Sequence, residues 1–530
     1  MTHLQIYDTT LRDGTQGEGV SFTRDDKIKI LTLLDAFRVD YVEGGWPGSN
    51  PKDVEFFDAV KDIELSHTKI AAFGSTCRAG NAPEDDANLR ALLDCETPVV
   101  TIFGKSWKLH VTEVLRTTLE ENLRIIEDSV RYLIAADREV IYDAEHFFDG
   151  YKADASYALE TLAAAKRGGA ECLVLCDTNG GTLPRELGEI VRTISEKVSD
   201  ARIGIHTHND SGTADANSLI AVDNGATHIQ GTINGLGERC GNSDLTNVIP
   251  NLILKMGCKL SIDEKSLRDL THTARYVASV GNLVFAENHP FVGQMAFAHK
   301  GGVHVNSVMK VADSYEHISP ERVGNTRRVL ISELSGRSNM FYLAESEGLN
   351  LEEHPDAARK AVDEIKMLEN EGYVFEGAEA SSTLIMLKHM EQLPEFFHLV
   401  RYRTAVEHRR TGGTFTEATV KIRVGDQEYL AVGEGVGPVD ALDEALRGAI
   451  RRFYPGVDEI VLKDYRVRIV NASAGTDAKV SVVIKSTDLD GQHSWATVGA
   501  SENLIEASWA ALNDSIVYGL LRQRNGNSDG

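Results

Sequence analysis

Three observations predict an α/β fold: a (β/α)8 TIM barrel, then helical linker subdomains, then a C-terminal α+β domain of two repeated units. Eight short apolar runs alternate with amphipathic segments over the first 240 or so residues, the sequence image of parallel βα units. The alternation stops near residue 275, where a Gly- and His-containing stretch and then a helical one take over. The last 150 residues carry a motif twice, at an offset of 66 residues.

In order, the runs are LQIYDTT, DYVEGGWP, KIAAFGS, VVTIFGKS, EVIYDAEHF, CLVLCDTNG, RIGIHTHND and THIQGTINGLGERCGN, separated by helical spacings such as DDKIKILTLLDAF and LRIIEDSVRYLIAAD. Their tails are richer in chemistry than their heads, with Arg12, Asp13, Glu43, Lys105, Glu145, Thr178, His206, His208 and Asn242. In a (β/α)8 barrel such residues converge on the C-terminal face of the strands. A doubly wound open sheet also gathers polar residues at strand ends, but no GxGxxG turn follows the first strand and the runs number eight. The barrel is expected over 1–275, linker subdomains over 276–380 (FVGQMAFAHKGGVHVNS, then HPDAARKAVDEIKMLENEG), and the repeat domain over 381–530.

In the repeat, LAVGEGVGPVDALDEAL matches WATVGASENLIEASWAAL, pairing Val432 with Val498, Gly433 with Gly499, Val439 with Ile505, Ala441 with Ala507, Ala445 with Ala511 and Leu446 with Leu512. ATVKIRV from Ala418 is matched with AKVSVVI from Ala478. Each unit reads as strands, a Gly-rich turn and an amphipathic helix. The seam between two such units suits a small ligand or a subunit contact, and plain duplication explains the pattern equally well. The tail RQRNGNSDG reads as frayed.

Composition bounds the partners. With 55 Lys plus Arg against 80 Asp plus Glu, the formal charge is −25, which repels phosphate backbones and anionic membrane surfaces, so neither nucleic acid nor a membrane is an expected partner. Hydrophobic content of 42% and charged content of 25% are those of a folded globular chain. Six cysteines without a CxxC pair fit a reducing compartment. MTHLQIYDTTLRDG has neither a basic n-region nor an apolar h-region, and a cytoplasmic protein is expected.

His206 and His208 in HTHND lie two apart on a strand and so point to one face. Two neutral imidazoles plus a carboxylate bind divalent transition metals, and Asp13 at another strand end supplies the carboxylate. Asn242 could add a neutral oxygen. Alone, an HxH is usually packing; joined to Asp13 and Asn242 it reads as a metal site, and a catalytically silent barrel would have no use for such a set. Asp210 could hold an imidazole in the ligating tautomer or cap a helix. Arg12 beside Asp13 could hold a carboxylate or a developing oxyanion, or simply pair with Asp13. Thr178 offers a hydroxyl to an anion or to a turn, and Glu145 and His299 are candidate general bases by residue type, each alone a surface residue by default.

DTTLRDGTQ at 8–16, HTHND at 206–210 and GLGERCGN at 235–242 resemble the signatures of the 2-isopropylmalate, homocitrate and citramalate synthase family, and GVGPVDALDEAL at 435–446 resembles its C-terminal regulatory domain. The resemblance spans nearly the whole chain. EGGWPGSNPKD at 43–53 and AFGSTCR at 72–78 look like the citramalate-forming branch. It implies a divalent metal ion (Mn2+, Mg2+ or Zn2+), acetyl-CoA as co-substrate, a 2-oxo acid acceptor, and a homodimer whose regulatory domain binds an amino-acid effector. By motif position Asp13, His206 and His208 would be metal ligands, with Asn242 in or near the shell. Arg12 would stabilise the oxygen that becomes charged, Thr178 would bind the oxo acid's carboxylate, and His110 in GKSWKLH would face substrate. His299 in HKGG and Tyr315 in SYEHISPERVG would be the catalytic pair from the linker region. Two departures stand out: Cys240 where GERAGN is usual, which revives a hydroxymethylglutaryl-CoA lyase-like alternative although the surrounding GER and GN are synthase-like, and HKGG where many synthases have HQDG.

For that chemistry the base would be His299 or a water held by Glu145, and Phe73, Phe103 and Tyr142 near strand ends would exclude branched acids in favour of pyruvate. The expected effector is isoleucine, whose synthesis the product would feed; the alternative acceptor is 2-oxoisovalerate, as in the 2-isopropylmalate branch.

Overall fold

The computed structural model describes residues 3–332, 335–409, 413–470, 478–489, 491 and 493–526. It comprises two compact units, Met1–Phe297 with Ile318–Thr326, and Ala298–His317 with Arg327–Gly530.

In the first unit eight parallel strands close in sequence order: β1 (Gln5–Asp8), β2 (Tyr41–Gly45), β3 (Lys69–Ser75), β4 (Val99–Lys105), β5 (Glu139–Glu145), β6 (Cys172–Asp177), β7 (Arg202–Thr207) and β8 (His228–Gly231). β1 pairs in parallel with both β2 and β8, so the sheet has no edge and the open-sheet alternative is excluded. Runs such as VVTIF are apolar on both faces because both are covered. Alternate residues divide between two cores: Tyr7, Tyr41, Ala71, Val99, Ile141, Val174 and Cys176 fill the barrel interior, while Ile6, Val42, Ile70, Val100, Tyr142 and Leu173 pack against the helices. Helix starts follow local chemistry. Thr23 and Asp26 form a capping box at the helix Arg24–Ala36, Asp86 accepts from Asn88 and Leu89 at Ala87–Asp94, and Thr118 accepts from Glu121 at Leu119–Ala135.

The stretch from 276 to 380 is shared between the units. Within the first, Thr271 donates to the Val323 carbonyl at 2.7 Å, and the Asn325 amide donates to the carbonyls of Phe291 and Gly293 at 2.9 and 2.8 Å, seating 318–326. In the second, β9 (Ala298–His299) pairs in parallel with β10 (Arg328–Val329). Helices Arg337–Ser346, Pro355–Asn370 and Glu379–His389 gather round Met340, Ile365, Phe375 and Met386.

The repeat is two antiparallel three-stranded sheets, β11 (His398–Arg409), β12 (Gly413–Val424) and β13 (Gln427–Gly435), then β14 (Val461–Ile469), β15 (Val480–Thr487) and β16 (Ser494–Ser501). Each is followed by a helix, Pro438–Ile450 and Leu504–Gly526. The paired glycines do the same work in both copies. A Cβ on Gly433 would lie 2.6 Å from the Ala441 carbonyl oxygen, and one on Gly499 2.1 Å from that of Ala507, so glycine lets strand and helix meet at equivalent points. The strand match needs correction. Ala418 faces Gly433 and Val482 faces Gly499, making Ala418 equivalent to Val482 rather than to Ala478. Strand sequences of like pattern slip easily in register, and the turn between β15 and β16 is longer than that between β12 and β13. Of the tail, 522–526 continue the last helix and 527–530 lie outside the described residues.

Candidate active site and metal centre

The strand tails of the first unit meet at a cavity of about 180 Å³. One wall is polar, with Arg12, Asp13, Asp143, Glu145, Thr178, His206 and His208; the other holds Trp46, Phe73 and Phe103.

Asp13, just past β1, and His206 and His208, at the end of β7, present ligand atoms within 4.8 Å of one another, all buried. His206 Nε2 lies 3.3 Å from Asp13 Oδ2 and 3.2 Å from His208 Nε2. The donor set suits a divalent cation. Burial, and then the charge of His206, push His208 down to about 3, so it brings a neutral imidazole. Burial would raise the Asp13 carboxyl, but Arg12 and the imidazoles hold it well below the carboxylate range. Burial alone would lower His206; its hydrogen bond to Asp13 outweighs this and raises it. A bound cation would take the place of that proton. His208 Nδ1 and Asn242 Oδ1 are buried without a hydrogen-bond partner. Asn242 is adjacent but turned: its Nδ2 donates to Asp13 Oδ2 at 2.7 Å and its oxygen lies against Gly237. The neutral oxygen expected from Asn242 therefore faces away from the cluster.

Arg12 is held on three sides, and one of them is the pairing with Asp13 that the sequence also allowed, Nη1 lying 3.4 Å from Asp13 Oδ1. Its Nε donates to Glu43, which also accepts from the Tyr7 hydroxyl at 2.8 Å, and its guanidinium stands over the Phe73 ring. Phe73 and Phe103 stack with centroids 5.5 Å apart, and Trp46 meets each edge-on at 5.7 and 5.5 Å. Trp46 is fixed from outside the barrel: its indole N–H donates to Asn88 Oδ1 at 3.0 Å and its backbone N–H to Asp53 Oδ2 at 2.9 Å. Asp53 is salt-bridged at 2.6 Å to Lys27, which is buried and also donates to the Gly44 carbonyl. Gly45, at φ +153°, is required here, since a Cβ would fall 2.3 Å from the Asp53 carboxyl carbon.

Thr178 Oγ1 accepts from the His146 backbone N–H at 2.9 Å. Glu145 pairs with Lys105. His110 opens the helical turn His110–Leu115 and lies edge-on to His146 at 4.3 Å, and it is not on the cavity lining; burial lowers its pKa. Tyr142 is not brought to the cavity. With Asp143 and Glu145 facing in, β5 turns Tyr142 outward, fully buried against Gly104, where a Cβ would come within 2.7 Å of its hydroxyl. Asp210 neither holds an imidazole nor caps a helix: it pairs with Arg239, whose NH2 also donates to the Thr178 carbonyl. Cys240, exposed on the same loop, does not line the cavity.

His299 and Tyr315 belong to the second unit. His299 Nε2 bonds to Glu316 Oε1 at 3.1 Å, and Arg327 grips both Glu316 oxygens at 2.6 Å. The half-exposed Tyr315 ring lies 4.5 Å from that of His304. The residues that sequence reasoning passed over are Trp46, Asp143, Gln230, Arg239 and Glu316. Strand parity would have found Asp143 and Gln230, which alternate with inward-facing neighbours.

Fold and site together define an enzyme of the barrel class that works at the C-terminal ends of its strands. The family model described as HMGL-like matches residues 3–274, homocitrate synthase post-HMGL domain-like 291–373, and LeuA allosteric (dimerisation) domain 376–520. The chain is 52% identical over 518 residues to an (R)-citramalate synthase of Aquifex aeolicus, and 50% identical over 521 residues to one of Geobacter sulfurreducens, covering 98% of each chain in both cases. A probable 2-isopropylmalate synthase of Methanopyrus kandleri is 32% identical, over 96% of this chain and 97% of its own. The chain belongs to the (R)-citramalate synthase family, within the HMGL-like barrel enzymes.

Proposed function

We propose that the protein condenses acetyl-CoA with pyruvate and hydrolyses the thioester, giving citramalate and CoA. The observation that carries this is the pairing, in one small cavity, of the Asp13–His206–His208 cluster with a stacked aromatic wall. Asp13, His206 and His208 would hold a divalent cation, Mn2+, Mg2+ or Zn2+, with Asn242 joining if its amide turned. Such an ion, when bound, polarises a carbonyl as a Lewis acid.

Thr178, whose oxygen accepts from His146, keeps its own O–H to donate to the oxo acid's carboxylate. His110 supports that side through His146. Arg12 presents its remaining N–H groups where the keto oxygen gains charge, and it is preorganised by Glu43 and Phe73. Glu145 takes a proton from the acetyl methyl group, directly or through a water, with His299 and Tyr315 the second unit's candidates for proton transfer. The carbon so freed bonds to the keto carbon, whose oxygen takes up a proton and becomes the hydroxyl; water then cleaves the thioester, leaving a carboxylate and a proton, and CoA leaves as the thiol. With Trp46, Phe73 and Phe103 walling a cavity of about 180 Å³, a methyl group on the acceptor would be favoured over an isopropyl group.

The repeat domain would bind isoleucine and join two copies in a homodimer, placing the enzyme in isoleucine biosynthesis in the cytoplasm. Among the described residues no helix is long and apolar enough to cross a membrane. Release of CoA by the purified protein with Mn2+, compared across pyruvate, 2-oxobutyrate, 2-oxoisovalerate and 2-oxoglutarate, tests the reading. Preference for pyruvate is expected; preference for 2-oxoisovalerate would move the chain to the isopropylmalate reaction.

A further inference from the structure

Two polar residues in the barrel wall take no part in the steps above. Asp143 on β5 and Gln230 on β8 are 4% and 1% exposed, and a carboxyl and an amide so deep are costly unless hydrogen-bonded. They bond to each other and to the cluster. Gln230 Nε2 donates to Asp143 Oδ1 at 3.1 Å, and Gln230 Oε1 lies 2.8 Å from His206 Nδ1.

The direction of this chain follows from the chemistry of its far end. Burial pushes the Asp143 carboxyl up to about 7, but its Oδ1 accepts from the Gln230 NH2 group whether or not the other oxygen carries a proton, and this turns the amide oxygen toward His206. An acceptor opposite Nδ1 places a proton there. The lone pair of the neutral ring then sits on Nε2, the nitrogen that faces Asp13 and His208. With the amide reversed, its NH2 group would oppose Nδ1 and force the proton onto Nε2, into the cluster. A cation at the cluster adds positive potential that favours the ionised Asp143. His208 has no such support, since its Nδ1 is without a hydrogen-bond partner.

We propose that Asp143 and Gln230 are positioning residues that hold His206 as the Nδ1-protonated tautomer, leaving Nε2 to ligate a divalent cation. This rests on the reading of Asp13, His206 and His208 as a metal site.

The test is calorimetric titration of metal-stripped, full-length protein with Mn2+, with folding checked by circular dichroism. Gln230→Leu is expected to weaken Mn2+ binding by about 10- to 100-fold, as loss of an outer-shell partner does, while Gln230→Glu, which keeps an acceptor opposite Nδ1, stays within about 3-fold of the parent. Asp143→Asn, which frees the amide to reverse, is expected to fall between them, and it carries the test if Gln230→Leu does not fold. His206→Ala separates the two readings: if it binds Mn2+ like the parent, the metal site itself is wrong. If His206→Ala loses binding while Gln230→Leu and Asp143→Asn bind within about 2-fold of the parent, the positioning role is overturned, well short of the 10-fold expected.

Discussion

Arg12 donates its Nε–H to Glu43 Oε2 at 2.6 Å, while its guanidinium carbon stands 3.8 Å from the centroid of Phe73. A flat, forked cation satisfies both neighbours at once; an ammonium group cannot. Arg12→Lys is therefore expected to lower kcat/KM for CoA release by about 100-fold or more, the usual cost of losing a preorganised oxyanion donor. Steady-state kinetics with pyruvate varied at saturating acetyl-CoA measure it, and a loss of only a few-fold would remove Arg12 from the reacting centre.

The aromatic wall predicts a change of acceptor. Phe103→Leu and Trp46→Leu each enlarge the space beside the cluster, and the ratio of kcat/KM for 2-oxobutyrate over pyruvate is expected to rise about 10-fold, within what one methylene can discriminate. Tyr142→Phe, in the strand–helix layer, should leave the ratio unchanged. An unchanged ratio in both wall variants would place the acceptor's alkyl group elsewhere.

Glu316 predicts a pH-dependent stability. Burial alone would raise its carboxyl, but Arg327 and His299 outweigh this and hold it below its usual value of 4.5. A carboxyl depressed in the folded state stabilises it fully above the unfolded value and loses that contribution as the pH falls through the folded value. Glu316→Gln should lower Tm by about 2 to 6 °C at pH 7, and the gap to the parent should narrow on acidification below the usual value. Scanning calorimetry of both proteins over pH 3.5 to 7 measures it, and a gap that does not change with pH would show that the charge contributes nothing.

The repeat predicts a matched pair of lesions. Gly433→Ala and Gly499→Ala each drive a methyl group into a helix carbonyl, at a cost of about 1–3 kcal/mol or more. Gly437→Ala, with nothing within 4 Å of the added carbon, is the control. Proteolysis of the C-terminal region at graded temperature should show both lesions and spare the control.

Much of this is legible in the sequence. The eight runs point to the barrel because their number and their alternation with helical segments match eight βα units and their tails carry the chemistry, and Asp13, His206 and His208 converge because closure brings β1 and β7 to the same mouth. Tyr142 was misread because nearness to a strand end does not say which face a side chain takes; counting by twos from Glu145 puts Asp143 inward instead. Asp210 was misread because its partner, Arg239, lies 29 residues away. Trp46 lies past the end of β2, where periodicity says nothing. The helix match in the repeat was correct because glycine and alanine sat at fixed spacing, whereas the strand match, resting on a generic apolar alternation, slipped by four positions.

Trp46 hangs from Asn88 and Asp53, and Asp53 from Lys27. None of these three supports lies on a barrel strand; they come from three different surface helices. The Trp46 face of the aromatic wall is thus suspended from the outer layer, while Phe73, Phe103 and the charged cluster are rooted in the strands or just past their ends. Lineages, or laboratory libraries, seeking a new acceptor could retune the first at positions 27, 53 and 88 without disturbing the second.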